Sequence, residues 1–189
     1  MSRRGFVVAV PLAGVLASSM VAAGSAPALP AAAVPREPAT DAEIFGLLTT
    51  IHAILLETAQ TGRRSATDRR VQALADSVAG HARAGQRRAA ALGRRTGLRA
   101  IHGDADAGLR FEARRGLAGL PGPGREFDRA WLDGQIEALM LAIGRLNNEM
   151  RPHAHVEALR DELTAVVEQA AGDLAQAQAL RAALAERTS

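Results

Sequence analysis

The 189-residue chain contains no cysteine, no lysine and no tyrosine, and its aromatic residues are four Phe and one Trp. The absence of cysteine excludes disulfides, thiolate zinc sites, cysteine nucleophiles and a lipidated N-terminal cysteine. The few aromatic rings cannot supply the stacking surfaces with which proteins bind single-stranded nucleic acid. Because arginine does not deprotonate in the accessible range, the sequence pI of 11.0 overstates how basic the surface is. We therefore predict no nucleic-acid partner.

Residues 1–26 have the layout of a secretory signal peptide. Arg3 and Arg4 form a positive start, an apolar stretch runs from Phe6 to Ala23, and small residues continue to Ala33. We predict cleavage between residues 24 and 33, an extracytoplasmic location and no stable transmembrane segment afterwards. A retained membrane anchor is the alternative interpretation. Loss of Arg3 and Arg4 leaves 21 arginines against 20 acidic residues, a net charge of about +1.

The pair Arg3-Arg4 also resembles the twin-arginine export motif. A basic start in a lysine-free protein often contains two adjacent arginines, so the general secretory route and the twin-arginine route both stay open. The difference matters because the twin-arginine route carries proteins that are already folded.

The remaining chain is predicted to be an Ala/Pro-rich linker at residues 27–39 and one helical domain at residues 40–187. Abundant Ala and Leu with few β-branched residues favour helix over sheet. Thr40 to Glu43 has the form of a capping box, which predicts the start of a first helix. We expect that helix to end near Gln60, because Thr61 and Gly62 follow.

Three further long helices and one short helix are predicted from apolar residues at helical spacing. In the third long helix, the apolar face contains Trp131 or Leu132 and Leu139 or Met140. The predicted fold class is all-α: an antiparallel four-helix bundle, up and down in order, with one longer connection between its second and third helices. The approximate predicted ranges are 65–96, 109–117 for the short helix, 127–150 and 156–184.

Opposite charges are concentrated in two segments. Residues 83–115 contain nine arginines and three acidic residues, a net charge of +6, and residues 126–189 contain six arginines and eleven acidic residues, a net charge of −5. We interpret them as basic and acidic faces that lie beside one another in the bundle. A patch dedicated to an anionic ligand is the alternative.

The sequence resembles a family of secreted bacterial proteins that is defined as a domain of unknown function and is often given the name outer membrane protein. The similarity runs over about residues 41–184. Its best part is Phe127-Asp128-Arg129-Ala130-Trp131-Leu132, which is similar to the family's Phe-Asp-x-x-Tyr-Leu at the start of its third helix. The resemblance implies a ferritin-like four-helix fold in a divergent form.

The resemblance also implies polar residues at inward positions: a Glu in the first helix, an Asp-His pair in the second, and a His in each of the third and fourth. Glu57 keeps the first of these. An ungapped match places His81-Ala82 at the Asp-His pair, so the family's histidine falls on Ala82 unless one residue is gapped. The third-helix His falls on Leu139 and the fourth-helix His near Asp173. A di-metal site needs several converging carboxylates and imidazoles, typically with Glu-x-x-His pairs, and this chain has none of those pairs. Glu57, His81 and Asp173 are therefore candidates for at most a depleted metal site.

Two connections carry other possible ligands, His102 to Asp106 and His153 to His155, but turn-rich connections expose polar residues anyway. No Gly-x-Ser-x-Gly elbow and no phosphate-binding loop occurs, so we predict no catalytic residues and no resident cofactor. The predicted function is a non-enzymatic structural, stress-related or interaction module of the cell envelope with an envelope or protein partner. The alternative is a ferritin-like metal-binding or redox protein.

Overall fold

A computed structural model describes residues 40–186 of the chain, which contain helices and no β-strand. The prediction of an all-α protein is confirmed. The predicted signal peptide, its cleavage site and the linker lie outside the described residues. The helices are α1 (Asp41–Ser65), α2 (Arg69–Thr96), α3 (Asp104–Ala118), α4 (Arg125–Arg145) and α5 (Glu157–Glu186).

Side-chain caps fix where the first two helices begin. At the start of α1 the predicted capping box forms: the Glu43 backbone N–H donates to Thr40 Oγ1 at 3.2 Å, and the Thr40 N–H donates to Glu43 Oε2 at 3.0 Å. At the start of α2, Asp68 Oδ1 accepts from the Arg70 N–H at 2.8 Å. The helix ends at Thr96 and is capped by Gly97, whose φ of 74° is the left-handed conformation that glycine adopts without steric cost.

The predicted end of α1 near Gln60 is wrong, because the helix continues to Ser65. Gly62 does not break it, and the indole ring of Trp131 lies directly over this glycine. A Cβ at Gly62 would overlap that ring, so the missing side chain allows close packing between α1 and α4. The Trp131 Nε1–H donates to the Thr58 carbonyl oxygen at 2.9 Å and completes the contact.

The predicted third long helix divides into α4, a π-helical turn at Leu146–Met150 and a short 3₁₀ turn at Arg151–His153. The sequence left open whether Trp131 or Leu132 faces the core, and both side chains are buried. The sequence also left open Leu139 or Met140, and Leu139 is the core residue, because it is buried whereas Met140 is 57% exposed. α3 is longer than the short helix predicted in the connection, and it begins earlier.

Helix directions follow from contacts at the two ends of the molecule. Asp41, at the start of α1, accepts from the backbone N–H groups of His155 and Val156 just before α5. Asp128, near the start of α4, accepts from the backbone N–H groups of Thr67 and Asp68 just before α2. Hence α1 and α5 run one way and α2 and α4 the other. The predicted plain up-and-down order is wrong, since the connection that contains α3 returns along the molecule before α4 begins.

Two apolar clusters form the core, one toward each end of the four long helices. The first includes Ile44, Leu92, Leu146 and Leu159, and the second includes Val71, Phe127, Trp131 and Leu132. α2 packs against α1 and α5, and α4 packs against α5 and α1. The short helix α3 packs along the outside of α1.

Helix α1 is long and apolar enough to cross a membrane by length and composition alone. More than half of its most apolar stretch is buried inside the protein, with Ile44, Leu48 and Ile51 in the core. A core helix passes the same test, and that burial is the property expected of one.

Candidate functional site

A small cavity lined by both apolar and polar side chains lies where α1, α2 and α5 meet. Its volume is about 20 Å³, enough for one water molecule and too small for an organic substrate. His52 comes from α1, His81 and Arg88 from α2, and Gln169 and Asp173 from α5. We call this group of five side chains the central polar cluster.

His81 and Asp173, two of the three candidate metal ligands from the sequence, are in direct contact. His81 Nδ1 lies 2.9 Å from Asp173 Oδ1 and 3.1 Å from Oδ2, and Gln169 Nε2 lies 3.1 Å from the same nitrogen. Asp173 is buried, whereas the His81 ring is about one-third exposed. Burial raises the pKa of the Asp173 carboxyl, and the neighbouring His81 works against that rise. The contact ties α2 to α5.

His52 is the most unusual member of the cluster. Its ring is 3% exposed, and Nε2 has no hydrogen-bond partner within residues 40–186. Burial, together with the positive charge of Arg88, lowers the pKa of His52 to about 4. The imidazole is therefore neutral at physiological pH.

Gly85 of α2 makes room for the His52 ring, because a Cβ there would overlap the imidazole. We expect Gly85→Ala to lower the free energy of unfolding by about 2 kcal/mol in urea denaturation, as crowding a packed ring does. Gly80→Ala is the matched control on the same helix, because no atom lies within 4 Å of its added Cβ. It should stabilise the protein by about 0.5 to 1 kcal/mol. A Gly85→Ala protein as stable as the control would show that the ring is not held in this position.

Arg88 and Glu162 close one side of the cluster. Arg88 Nε donates to Glu162 Oε1 at 2.9 Å and to Oε2 at 3.1 Å. Burial raises the pKa of Glu162, and the positive charge of Arg88 opposes that effect. This pair is a second polar link between α2 and α5.

Glu57, the third candidate from the sequence, does not belong to the cluster. It is exposed on α1 and does not line the cavity, while Leu139 lies fully buried. Within residues 40–186, no group of three or more His, Asp or Glu side chains is arranged to hold a metal ion. The residues present therefore do not make the ligand set that a di-metal site in a helical bundle requires.

The connection from His102 to Asp106, considered as a metal-binding loop, is instead an anchor for α3. Buried Asp106 accepts from the Thr50 hydroxyl on α1 and, at 3.1 Å, from the Gly103 backbone N–H. Burial opposes ionisation of Asp106, but the hydrogen bonds from Thr50, His102 and Gly103 outweigh it and lower its pKa. The carboxylate is thus occupied by protein donors.

Asp128 also anchors a helix through its buried carboxylate, at the opposite end of the molecule from Asp106. Its carboxylate accepts from the Thr67 N–H at 2.8 Å, the Thr67 hydroxyl at 2.7 Å and the Asp68 N–H at 2.9 Å. Phe127 and Leu132 of the same motif are buried in the second apolar cluster. The Phe-Asp-x-x-Trp-Leu motif therefore holds α4 against the turn between α1 and α2, and the presence of a buried carboxylate in it needs no catalytic explanation.

His153 and His155, the other pair considered as metal ligands, flank buried Ala154 and are exposed. The backbone N–H of His155 donates to Asp41 Oδ1 at 2.8 Å, which joins the start of α5 to the start of α1. This short segment therefore serves as a turn fixed by its backbone.

Sequence reasoning missed His52 and Gln135. Both are buried, and the Gln135 amide oxygen and nitrogen have no hydrogen-bond partner within residues 40–186. The available signal was positional, because His52 lies four positions after Leu48 and three before Leu55, and Gln135 lies four after Trp131. Polar residues at core positions of an apolar face were the clue.

The described residues define an all-α protein whose buried carboxylates hold its helices together. Residues 26–180 match the model of a domain of unknown function, DUF4142, so the chain belongs to that family. No curated protein and no solved structure matches the chain. The family match covers α1 to α4 and most of α5.

Proposed function

We propose that this protein is an exported helical bundle that acts as a non-enzymatic structural, stress-related or interaction module of the cell envelope. The observation that carries the proposal is that the buried carboxylates link helices and loops to one another. Asp106, Asp128 and Asp173 are the buried acidic residues within positions 40–186, and each is bonded to a neighbouring helix or loop. All three carboxylates are therefore engaged in contacts that hold the fold together.

The proposed fold is a ferritin-like four-helix bundle. Two features support it: α1 and α5 run opposite to α2 and α4, and one long crossover connection joins α2 to α4. Ferritin-like bundles have one such crossover, whereas plain up-and-down bundles have none.

A second pocket, at the start of α2 and α4, favours the same function over catalysis. It has a volume of about 220 Å³ and is lined by Thr67, Asp68, Arg125, Asp128 and Leu184. The carboxylate of Asp128 already accepts three hydrogen bonds, and Asp68 caps α2. A general acid or base needs a group free to meet a substrate, and these carboxylates are occupied.

Export is tested by identifying the N-terminal residue of the protein recovered from the cell envelope. The lysine-free sequence has one primary amine, the α-amino group, so an amine-specific label marks the mature N-terminus alone. Mass spectrometry of the labelled peptide should place the cut between residues 24 and 33. Recovery of the chain with residues 1–23 attached, in a membrane fraction, would instead support a retained anchor.

A metal-binding or redox role is the second candidate function, with a depleted site at His81 and Asp173. One observation favours it: His52, His81 and Asp173 line the same cavity. Elemental analysis of envelope-derived protein prepared without chelator tests it. A ratio of about one metal atom per chain that falls in Asp173→Asn would establish this role, and a ratio near zero would leave the interaction module.

A further inference from the structure

The outward face of the second half of α2 carries positive charges that no residue in the described part of the chain neutralises. Residues 77–103 contain no Asp or Glu. Arg83, Arg87 and Arg94 are exposed, and their spacing places them along one side of α2 over about 16 Å. None of the three forms an ion pair or a side-chain hydrogen bond within residues 40–186. We call these three residues the basic stripe.

A matching set of negative charges lies on α5. Glu157, Asp161 and Glu168 are exposed and have the same spacing as the basic stripe, with steps of four and then seven positions between successive members. They too form no ion pair or side-chain hydrogen bond in the described part of the chain. We call them the acidic stripe.

The two charged segments make little direct contact between opposite charges in the part of the chain that the structure describes. The sequence predicts that their faces lie side by side, and α2 does pack against α5. Within residues 40–186, however, the segments 83–115 and 126–186 are joined by a single ion pair, Arg88 with Glu162. Other exposed charges pair within their own segment, as Arg115 does with Glu112 and Arg181 with Asp133, but those of the two stripes do not.

The stripes span the same length of the molecule. The contacts of Arg88 with Glu162 and of His81 with Asp173 fix the antiparallel register of α2 against α5. One step along α2 therefore corresponds to one step back along α5. Arg94 lies at about the height of Glu157, and Arg83 at about the height of Glu168.

We infer that a second copy of this chain binds here, with the basic stripe of each copy against the acidic stripe of the other. A two-fold axis parallel to the helices preserves height, so Arg83 then faces the partner's Glu168 and Arg94 the partner's Glu157. Arg87 meets the partner's Asp161 with an offset of about three residues, or about 4.5 Å, which a long arginine side chain spans.

Small exposed residues between the charges allow the two helices to approach. These are Ala90 on α2, between Arg87 and Arg94, and Ala165 on α5, between Asp161 and Glu168. A second copy is favoured over a polyanion because a polyanion would neutralise the basic stripe only. The acidic stripe on the neighbouring helix would then repel it.

The test is self-association of the protein by sedimentation velocity over a concentration series. We expect a dimer in about 50 mM salt that weakens at least tenfold in about 500 mM salt, since exposed ion pairs are screened. Arg87→Glu alone and Asp161→Arg alone should each raise the dimer dissociation constant about tenfold or more. Arg114→Glu is the control, because it makes the same charge change on exposed α3 and should dissociate like wild type.

Charge exchange makes the test specific. Mixing Arg87→Glu with Asp161→Arg should restore a mixed dimer, and the double variant Arg87→Glu/Asp161→Arg should again self-associate. A chain that is monomeric at about 1 mM in low salt would overturn the inference, as would a dimer indifferent to both reversals. Binding of the monomer to anionic phospholipid vesicles, lost in Arg87→Glu but unchanged in Asp161→Arg, would overturn it in favour of a membrane surface. None of these outcomes depends on where the protein is located.

Discussion

Replacing Asp128 by alanine is expected to lower the free energy of unfolding by about 3 to 4 kcal/mol. The carboxylate accepts three hydrogen bonds from Thr67 and Asp68 and is 3% exposed. Its removal leaves two backbone N–H groups without an acceptor at the turn that joins α1 to α2. Bonds to a charged acceptor are worth more than neutral ones, and the loss loosens the polar contact between α4 and that turn.

Chemical denaturation in urea, monitored by helical circular dichroism, measures this loss. Asp133→Ala is the matched control on the same helix, because Asp133 is exposed and forms an ion pair with Arg181 at 2.6 Å. An exposed pair contributes about 0 to 1 kcal/mol, so the control should remain close to wild type. Equal losses in the two variants would mean that Asp128 has no special structural role.

Acidification is expected to destabilise wild type relative to a His52→Phe variant by about 3 kcal/mol between about pH 7 and pH 4. Burial, and secondarily Arg88, lowers the pKa of folded His52 from 6.5 to about 4. In that window the unfolded chain binds a proton that the folded chain does not. The free energy of unfolding of wild type, relative to His52→Phe, therefore decreases as the pH falls through 6.5. It keeps decreasing until the pH reaches the folded pKa of about 4.

The comparison with His52→Phe is needed because nearby carboxyls act in the opposite direction. Burial raises the pKa of Glu162 and of Asp173, so in the folded state these groups favour protonation as the pH falls. Phenylalanine keeps an aromatic ring at the site, and the cavity of about 20 Å³ beside it helps to accept the additional ring atom. The exposed-histidine variant His155→Gln should keep the pH dependence of wild type. Identical pH profiles for wild type and His52→Phe would mean that His52 protonates freely in the folded protein.

Much of the fold could be predicted from the sequence because apolar spacing and caps are local signals. The capping box at Thr40 to Glu43 formed as predicted, and the end of α2 at Thr96 was placed correctly. The end of α1 was missed because Gly62 has a tertiary role, receiving the ring of Trp131 from α4. A glycine that permits close packing and a glycine that ends a helix look the same in a single sequence.

The order of the helices was harder to predict for a related reason. Helical spacing gives the number of helices but not the direction in which a long connection returns, and the decisive contact joins Asp128 to Thr67, far apart in sequence. For the candidate site, His81 and Asp173 were found because they stand at positions of the resembling family. His52 was missed although it stands on the apolar face of the first helix, and the sequence does not show that Gly85 makes room for its ring.

The connection between α2 and α4 sets a length requirement for this architecture. α2 has 28 residues and is therefore about 42 Å long, and residues 97–124 must carry the chain back over most of that distance. About thirteen fully extended residues would reach that far. The connection has 28 residues, counted from 97 to 124, and α3 takes up the excess as a helix fastened to α1 by hydrogen bonds of Asp106 and Arg110 with Thr50. The spare chain length leaves room for insertions or deletions in the exposed part of this segment, whereas Leu98, Ala105 and Leu109 pack against the first apolar cluster and Leu120 packs against the second.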